Sequence, residues 1–176
     1  IIFISKWVKK QFLIGVNKKY FKSNNFEIIP HCINKTKINY KSKKNLIIFV
    51  GRLNASKGYD VFGNSIIKSL NKYNNWKSVV LGDEPREKLN FKHKNLKVLG
   101  FKSHSYILKL YKNASISVVC SRWNEPFGRT ALEASSRGCA VIITNRGGLP
   151  EAANTSLKIN NLNVKNIYKA IEKLIK

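Results

Sequence analysis

Apolar residues in this chain follow two different periods. Residues 46–50 form an unbroken apolar run of strand length that stops at Gly51. A run with no polar interruption suits a strand buried on both faces, as in a parallel sheet. Mostly apolar runs recur at 78–81, ending at Gly82, and at 116–120 and 140–143, and shorter ones broken by a single lysine at 96–99, ending at Gly100, and at 157–159. Between them lie helical patterns over about 58–74, with Val61, Ile66, Ile67 and Leu70, and then near 104–112, 128–137 and 164–175. Strand and helix alternating at this spacing predict right-handed crossovers. The expected fold class is therefore α/β, a Rossmann-like doubly wound parallel sheet with helices on both faces.

The first 44 residues read differently. Residues 1–4 predict a short strand, and Ser5 is placed to cap a helix over 6–22. On that helix Val8, Phe12, Val16 and Tyr20 recur at four-residue steps among lysines. A second short strand is expected at 26–30, followed by a polar, basic connector over 31–44. The organisation expected is a connecting segment, 1–44, joined to a ligand-binding domain, 45–176.

Composition narrows the class. A length of 176 residues fits one compact domain, and 43% hydrophobic residues suffice for a core. No apolar run approaches the ~18 residues that cross a membrane. The start lacks the charge order and cleavage site of a signal peptide. There is no Met anywhere, so the chain is expected to be a piece of a longer protein. Cys32, Cys120 and Cys139 lack disulfide or metal-ligand spacing. Cys120 and Cys139 fall in apolar runs and read as small buried hydrophobes, which fits a reducing compartment.

The formal charge of +24, from 33 Lys and Arg against 9 Asp and Glu, invites a nucleic-acid or membrane-surface reading. Its origin is open. Lys (27), Asn (21) and Ile (20) dominate, and all three have A/T-rich codons. The charge is also concentrated in the first 44 residues, away from the motif-rich part.

In a doubly wound sheet, ligands bind beyond the carboxyl ends of the strands. Three constellations fall there. In the first, Gly51 turns off its strand, Arg52 offers a guanidinium fork to phosphate, and Lys57 adds a charge before the next helix. The G-x4-G-K-[ST] spacing of a P-loop is absent, and a solvated basic loop is the alternative. The second runs from Glu125 through Pro126, Phe127, Gly128, Arg129 and Thr130 to Glu133. Pro126 and Gly128 keep Glu125 in a loop at the cleft mouth, with Glu133 one and a half turns into the helix. Their separation is wrong for a carboxylate dyad. It suits gripping two hydroxyl-bearing parts of one extended ligand, with phosphates between them at the helix N-terminus. The alternative is a helix-dipole partner and an ordinary helical Glu. The third, Asn145 to Glu151, is a fixed Gly/Pro loop that either lines the cleft or shapes the exit to the next helix.

In this order the motifs resemble the family 4 (group 1) glycosyltransferases of GT-B fold. The residues that carry the resemblance are Val50-Gly51-Arg52, Lys57-Gly58, Val80-Leu81-Gly82, Val98-Leu99-Gly100-Phe101, Ser121, Glu125-Pro126-Phe127-Gly128 with Leu132-Glu133-Ala134, Gly138 to Ile142, Gly147-Gly148 and Glu151. The Glu125/Glu133 pair matches the family's E-x7-E signature. Residues 4–9 and 28–34 resemble the segment that joins the two GT-B domains.

The resemblance implies a nucleotide-sugar donor, UDP-, GDP- or ADP-linked, with no cofactor and no metal. Arg52 and Lys57 would hold the diphosphate and stabilise the leaving group. Glu125 would contact donor-sugar hydroxyls, and Glu133 the ribose hydroxyls. Main-chain amides of Gly128, Arg129 and Thr130 would meet the phosphates, Phe127 would line the site, and Leu99 to Phe101 would lie near the base. The reaction would be a retaining hexosyl transfer to a glycan or lipid-linked acceptor, as in lipopolysaccharide or surface-polysaccharide synthesis. It would take place in the cytoplasm, with the inner membrane surface, being anionic, a further candidate partner for the basic helix.

Two departures stand out. Arg129 occupies a position that is often apolar in the family. The family's N-terminal, acceptor-binding domain is missing from this chain, so the fragment alone is expected to bind donor without transferring sugar. Two competing readings are a basic nucleic-acid-binding module, which lacks a recognisable motif here, and a non-transferase GT-B enzyme such as a sugar-nucleotide epimerase.

Overall fold

The computed structural model describes residues 1–16, 25–34 and 36–176. Its centre is a six-stranded parallel sheet built from β3 (Lys44–Val50), β4 (Lys77–Leu81), β5 (Leu96–Val98), β6 (Ala114–Val119), β7 (Ala140–Thr144) and β8 (Leu157–Ile159). The order across the sheet is β5-β4-β3-β6-β7-β8. The chain thus starts in the middle, winds outward to one edge, then returns to build the other half. The reversal between β3 and β6 opens a crevice beyond their carboxyl ends.

Helices cover both faces. α2 (Tyr59–Lys72) and α6 (Val164–Ile175) pack on one, and α3 (His104–Asn113), α4 (Arg129–Ser135) and α5 (Leu149–Ala152) on the other. This explains the unbroken apolar runs. In β3, Ile47 and Phe49 join the core under α2 and α6, while Ile48 joins the core under α3 and α4. All three are at most 2% exposed. Phe49, Tyr59 and Phe62 form an aromatic cluster, with Phe49 5.4 and 4.9 Å from the other two rings. Cys120 and Cys139 are buried, and burial pushes their thiols up to about 12 and about 11.

The segment before β3 forms its own small unit. β1 (Ile2–Phe3) pairs in parallel with β2 (Glu27–Ile28), and α1 (Lys6–Gly15) follows β1. Ser5 caps α1 by accepting from the Val8 N–H at 3.0 Å. The helix stops at Gly15, because Val16 is extended at φ −119° and ψ 135°. Lys18, Lys19, Tyr20 and Lys22, also expected on this helix, lie outside the described residues. Other boundaries differ from the sequence reading by one or two residues, as helix ends commonly do. Three elements had no sequence-level expectation: the four-residue α5, and 3₁₀ turns at Tyr40–Ser42 and Ala55–Lys57. No helix among the described residues is long and apolar enough to cross a membrane.

Candidate functional site

The loops beyond β3 and β6 come together because of one tight approach. Gly58, at φ +73°, leads into α2, and a Cβ there would lie 2.0 Å from the Cys120 carbonyl oxygen. Only glycine lets the turn rest on the end of β6. That contact sets Lys57 beside the loop that follows β6, where its ammonium pairs with the Glu125 carboxylate. The partners are 68 residues apart in sequence.

Each partner is positioned by its own supports. Asn54 Oδ1 accepts from the Lys57 N–H (3.1 Å) and from Ser56 Oγ (2.9 Å). Asn54 in turn donates through Nδ2 to buried Glu84 at 3.0 Å. Arg86 donates to the same carboxylate at 2.7 and 3.2 Å. The Arg86 bonds, helped by the Asn54 amide, hold the Glu84 carboxyl down at about 2, against the opposing effect of burial. Glu87 accepts from the Ala55 N–H at 2.8 Å.

The Glu125 loop is held by backbone and by buried groups. Gly148 N–H donates to the Glu125 carbonyl at 2.6 Å. A Cβ on Gly147, at φ +56°, would come within 2.3 Å of that same oxygen. Ser5, fully buried, donates through Oγ to the Pro126 carbonyl at 2.6 Å. Arg122 forks onto Asp60 at 2.6 and 2.7 Å, tying the loop to α2 and holding the Asp60 carboxyl below its usual range. The third constellation therefore shapes its surroundings: its glycines buttress the Glu125 loop. Glu151 accepts from the Lys6 and Trp7 N–H groups at 2.7 and 2.9 Å, at the start of α1.

The predicted site residues distribute over three adjoining cavities. The first, of about 320 Å³, is lined by Gly51, Lys57, Glu125, Phe127, Gly128, Arg129 and Thr130. Ile4 and His31 of the N-terminal segment close it, with the His31 ring edge-on to Phe127 at 5.6 Å. The second, of about 340 Å³, holds Glu133 and shares His31 and Arg129 with the first. There Glu133 is nearly buried, 3.0 Å from His104 Nε2 and 3.5 Å from Arg129 Nη2. The third, of about 240 Å³, holds Arg52 and Phe101 and shares Val50 and Gly51 with the first. Leu99 lines none of these three; it packs half-buried against the core under α3 and α4.

The structure thus brings Lys57, Glu125 and the first turn of α4 into one cavity. It sets Glu133 in the next cavity along the same helix, and Arg52 on the far side of Gly51. Sequence reasoning missed Glu84, Glu87, His31 and His104. Glu84 follows a strand-end glycine and carried a positional signal; His104 had none.

The sequence profile described as "Glycosyl transferases group 1" matches residues 33–176. The chain belongs to the group 1 glycosyl transferases. An uncharacterized glycosyltransferase of Methanocaldococcus jannaschii is 35% identical over 122 residues, 65% of this chain and 30% of the relative. A glycosyltransferase from Rickettsia africae superposes with a TM-score of 0.78 over 99% of this chain and 52% of its own, at 22% identity. Anabaena HepE in complex with UDP-glucose superposes with a TM-score of 0.77 over 99% of this chain and 53% of its own, at 16% identity. The chain spans about a third of the length of the curated relatives it matches and about half of these solved structures. Its sheet is the Rossmann-like unit of this group 1, GT-B-type architecture.

Proposed function

We propose that this chain is the donor-binding half of a retaining, family 4 hexosyltransferase. It takes a UDP-, GDP- or ADP-sugar, and an N-terminal domain supplies the glycan or lipid-linked acceptor of a surface-polysaccharide pathway. The observation that carries this reading is the cavity at the ends of β3 and β6, where Lys57, Glu125 and the first turn of α4 meet. HepE, a protein of the same fold, has been solved with UDP-glucose.

Lys57 and Glu125 pair with each other. A nucleotide sugar entering between them gives each a different partner. The Lys57 ammonium turns to the diphosphate, joined from across Gly51 by Arg52. The Glu125 carboxylate accepts from hydroxyls of the sugar. The amides of Gly128, Arg129 and Thr130 face the phosphates at the start of α4, where partial positive charge favours an anion. Glu133, in the adjoining cavity, accepts from the ribose hydroxyls, and Phe101, in the cavity that holds Arg52, borders the base. As the glycosidic bond breaks, charge grows on the departing diphosphate. Fixed cations at that point stabilise the transition state more than the ground state, and no metal is required.

Two-dimensional NMR of the chain with UDP, GDP, ADP and their sugars tests this reading. Saturable shifts at Gly51, Lys57 and Gly128 to Thr130, with one base preferred, are expected. A folded sample that responds to none of these ligands overturns it.

A further inference from the structure

Arg137 is an unusual cation among the described residues. It is only 7% exposed, and its Nε is buried with no hydrogen-bond partner. Buried donors are almost always bonded, and one left open on a guanidinium calls for a partner. Other atoms of the residue are engaged. Nη1 donates to Ser136 Oγ at 2.7 Å, and the carbonyl accepts from Lys43 Nζ at 2.7 Å.

Two cavities meet at Arg137. On one side lies the cavity that holds Glu133. On the other is a separate cavity of about 240 Å³ lined by Arg137, Lys112, Lys37, Thr36, Asn39 and Ser42, together with Ile38. The groove follows the helices. Arg129, Glu133 and Arg137 recur at four-residue steps along α4 and the turn that ends it, and His104, Leu108 and Lys112 do so along α3. The one carboxylate in the groove among the described residues, Glu133, is already engaged by His104 and Arg129. Among the described residues, the far cavity brings three cations together without a carboxylate in its lining.

We propose that Arg137, Lys112 and Lys37 form an oxyanion subsite at the far end of this groove, which takes a phosphate group. Arg137 supplies the directional donor through its guanidinium, and the two exposed lysines supply mobile charge. The phosphate arrives either free or as part of a larger nucleotide-bearing ligand lying along the groove. The subsite requires only these residues and stands independently of the donor reading above.

The test follows the Arg Nε–Hε resonances of the 176-residue chain during titration with inorganic phosphate, at ionic strength held constant with chloride. The Arg137 resonance is expected to shift saturably with phosphate and not with chloride. Lys112→Gln and Lys37→Gln, both at surface positions, are expected to weaken phosphate binding about two- to fivefold each. An Arg137 resonance that does not respond to phosphate, or a response unchanged in both lysine variants, overturns the proposal. Arg137→Gln identifies the resonance; should that variant not fold, sequential assignment of the unaltered chain does so. Repeating the titration with excess UDP separates the sources. A shift that persists identifies free phosphate, and one that UDP abolishes identifies a nucleotide-borne group. The phosphate arm reads out even if UDP does not bind.

Discussion

Glu125 and Glu133 belong to one motif and lie eight residues apart, yet they occupy contrasting settings. Glu125 sits on a loop whose backbone is clamped by Gly148, Ser5 and the Arg122–Asp60 fork, and its carboxylate meets a lysine brought in from another strand end. Glu133 sits inside a helix, and its partners come from that helix and from α3. The first depends on long-range loop packing, the second on one helix lying correctly on the sheet. The two ends of the proposed ligand are therefore held by parts of the molecule that can be disturbed separately.

The helix side should give the largest stability effect. Lys43 donates through Nζ to the carbonyls of Tyr111, Ala114 and Arg137, at 2.9, 2.7 and 2.7 Å. It thereby ties off the C-terminal ends of α3 and α4, where a cation also suits the helix dipoles. Burial lowers its pKa, and the nearby Cys139 only partly offsets this. Lys43→Met removes a donor from all three carbonyls, leaving those of Tyr111 and Ala114 only the weak Cys139 thiol at 3.2 and 3.3 Å. It is expected to cost about 2–3 kcal/mol in urea unfolding while leaving the Glu125 loop in place.

On the loop side, Lys57→Ala is expected to weaken nucleotide-diphosphate binding about 10- to 100-fold by calorimetry. That corresponds to one charge-assisted contact of about 1.5–3 kcal/mol. Stability should change little. Equal losses in Lys57→Ala and Lys43→Met would mean that the two sides are not separable.

The support behind Lys57 should appear as a pH dependence. Glu84 is lowered in the fold from 4.5 to about 2. Its stabilising contribution is therefore complete above pH 4.5 and is lost as pH falls from about 4.5 through about 2. Thermal melts across that window should show a smaller acid-dependent drop in Glu84→Gln than in the unaltered chain.

The smallest effect is expected from His104→Ala. The ring is more than half exposed, and a pair of that kind contributes about 1 kcal/mol or less. Nucleotide affinity should change less than about fivefold. A larger loss would show that the imidazole itself touches the ligand.

Much of the framework was legible in the residues. Uninterrupted runs such as 46–50 announced strands covered on both faces, and each glycine at a strand end marked where the chain turns over the cleft. The E-x7-E motif located its loop and helix, because Pro126 and Gly128 act on the backbone within a few residues. Glu84 was less legible, since its importance rests on Asn54, thirty residues earlier. Lys43 looked like one more lysine in a basic connector. Nothing local distinguishes it from Lys41 or Lys44.

The sequence by itself determined the strands of the main sheet, its longer helices, their order and the residues at the strand ends, because periodicity and glycine geometry act over short stretches of chain. Tertiary structure alone decided the pairing of Lys57 with Glu125, the enclosure of Arg137 and the division of the cleft into adjoining cavities. Those depend on which strand ends become neighbours, and in a sheet that starts in the middle and reverses, β3 and β6 meet although 63 residues separate the last residue of one from the first of the other.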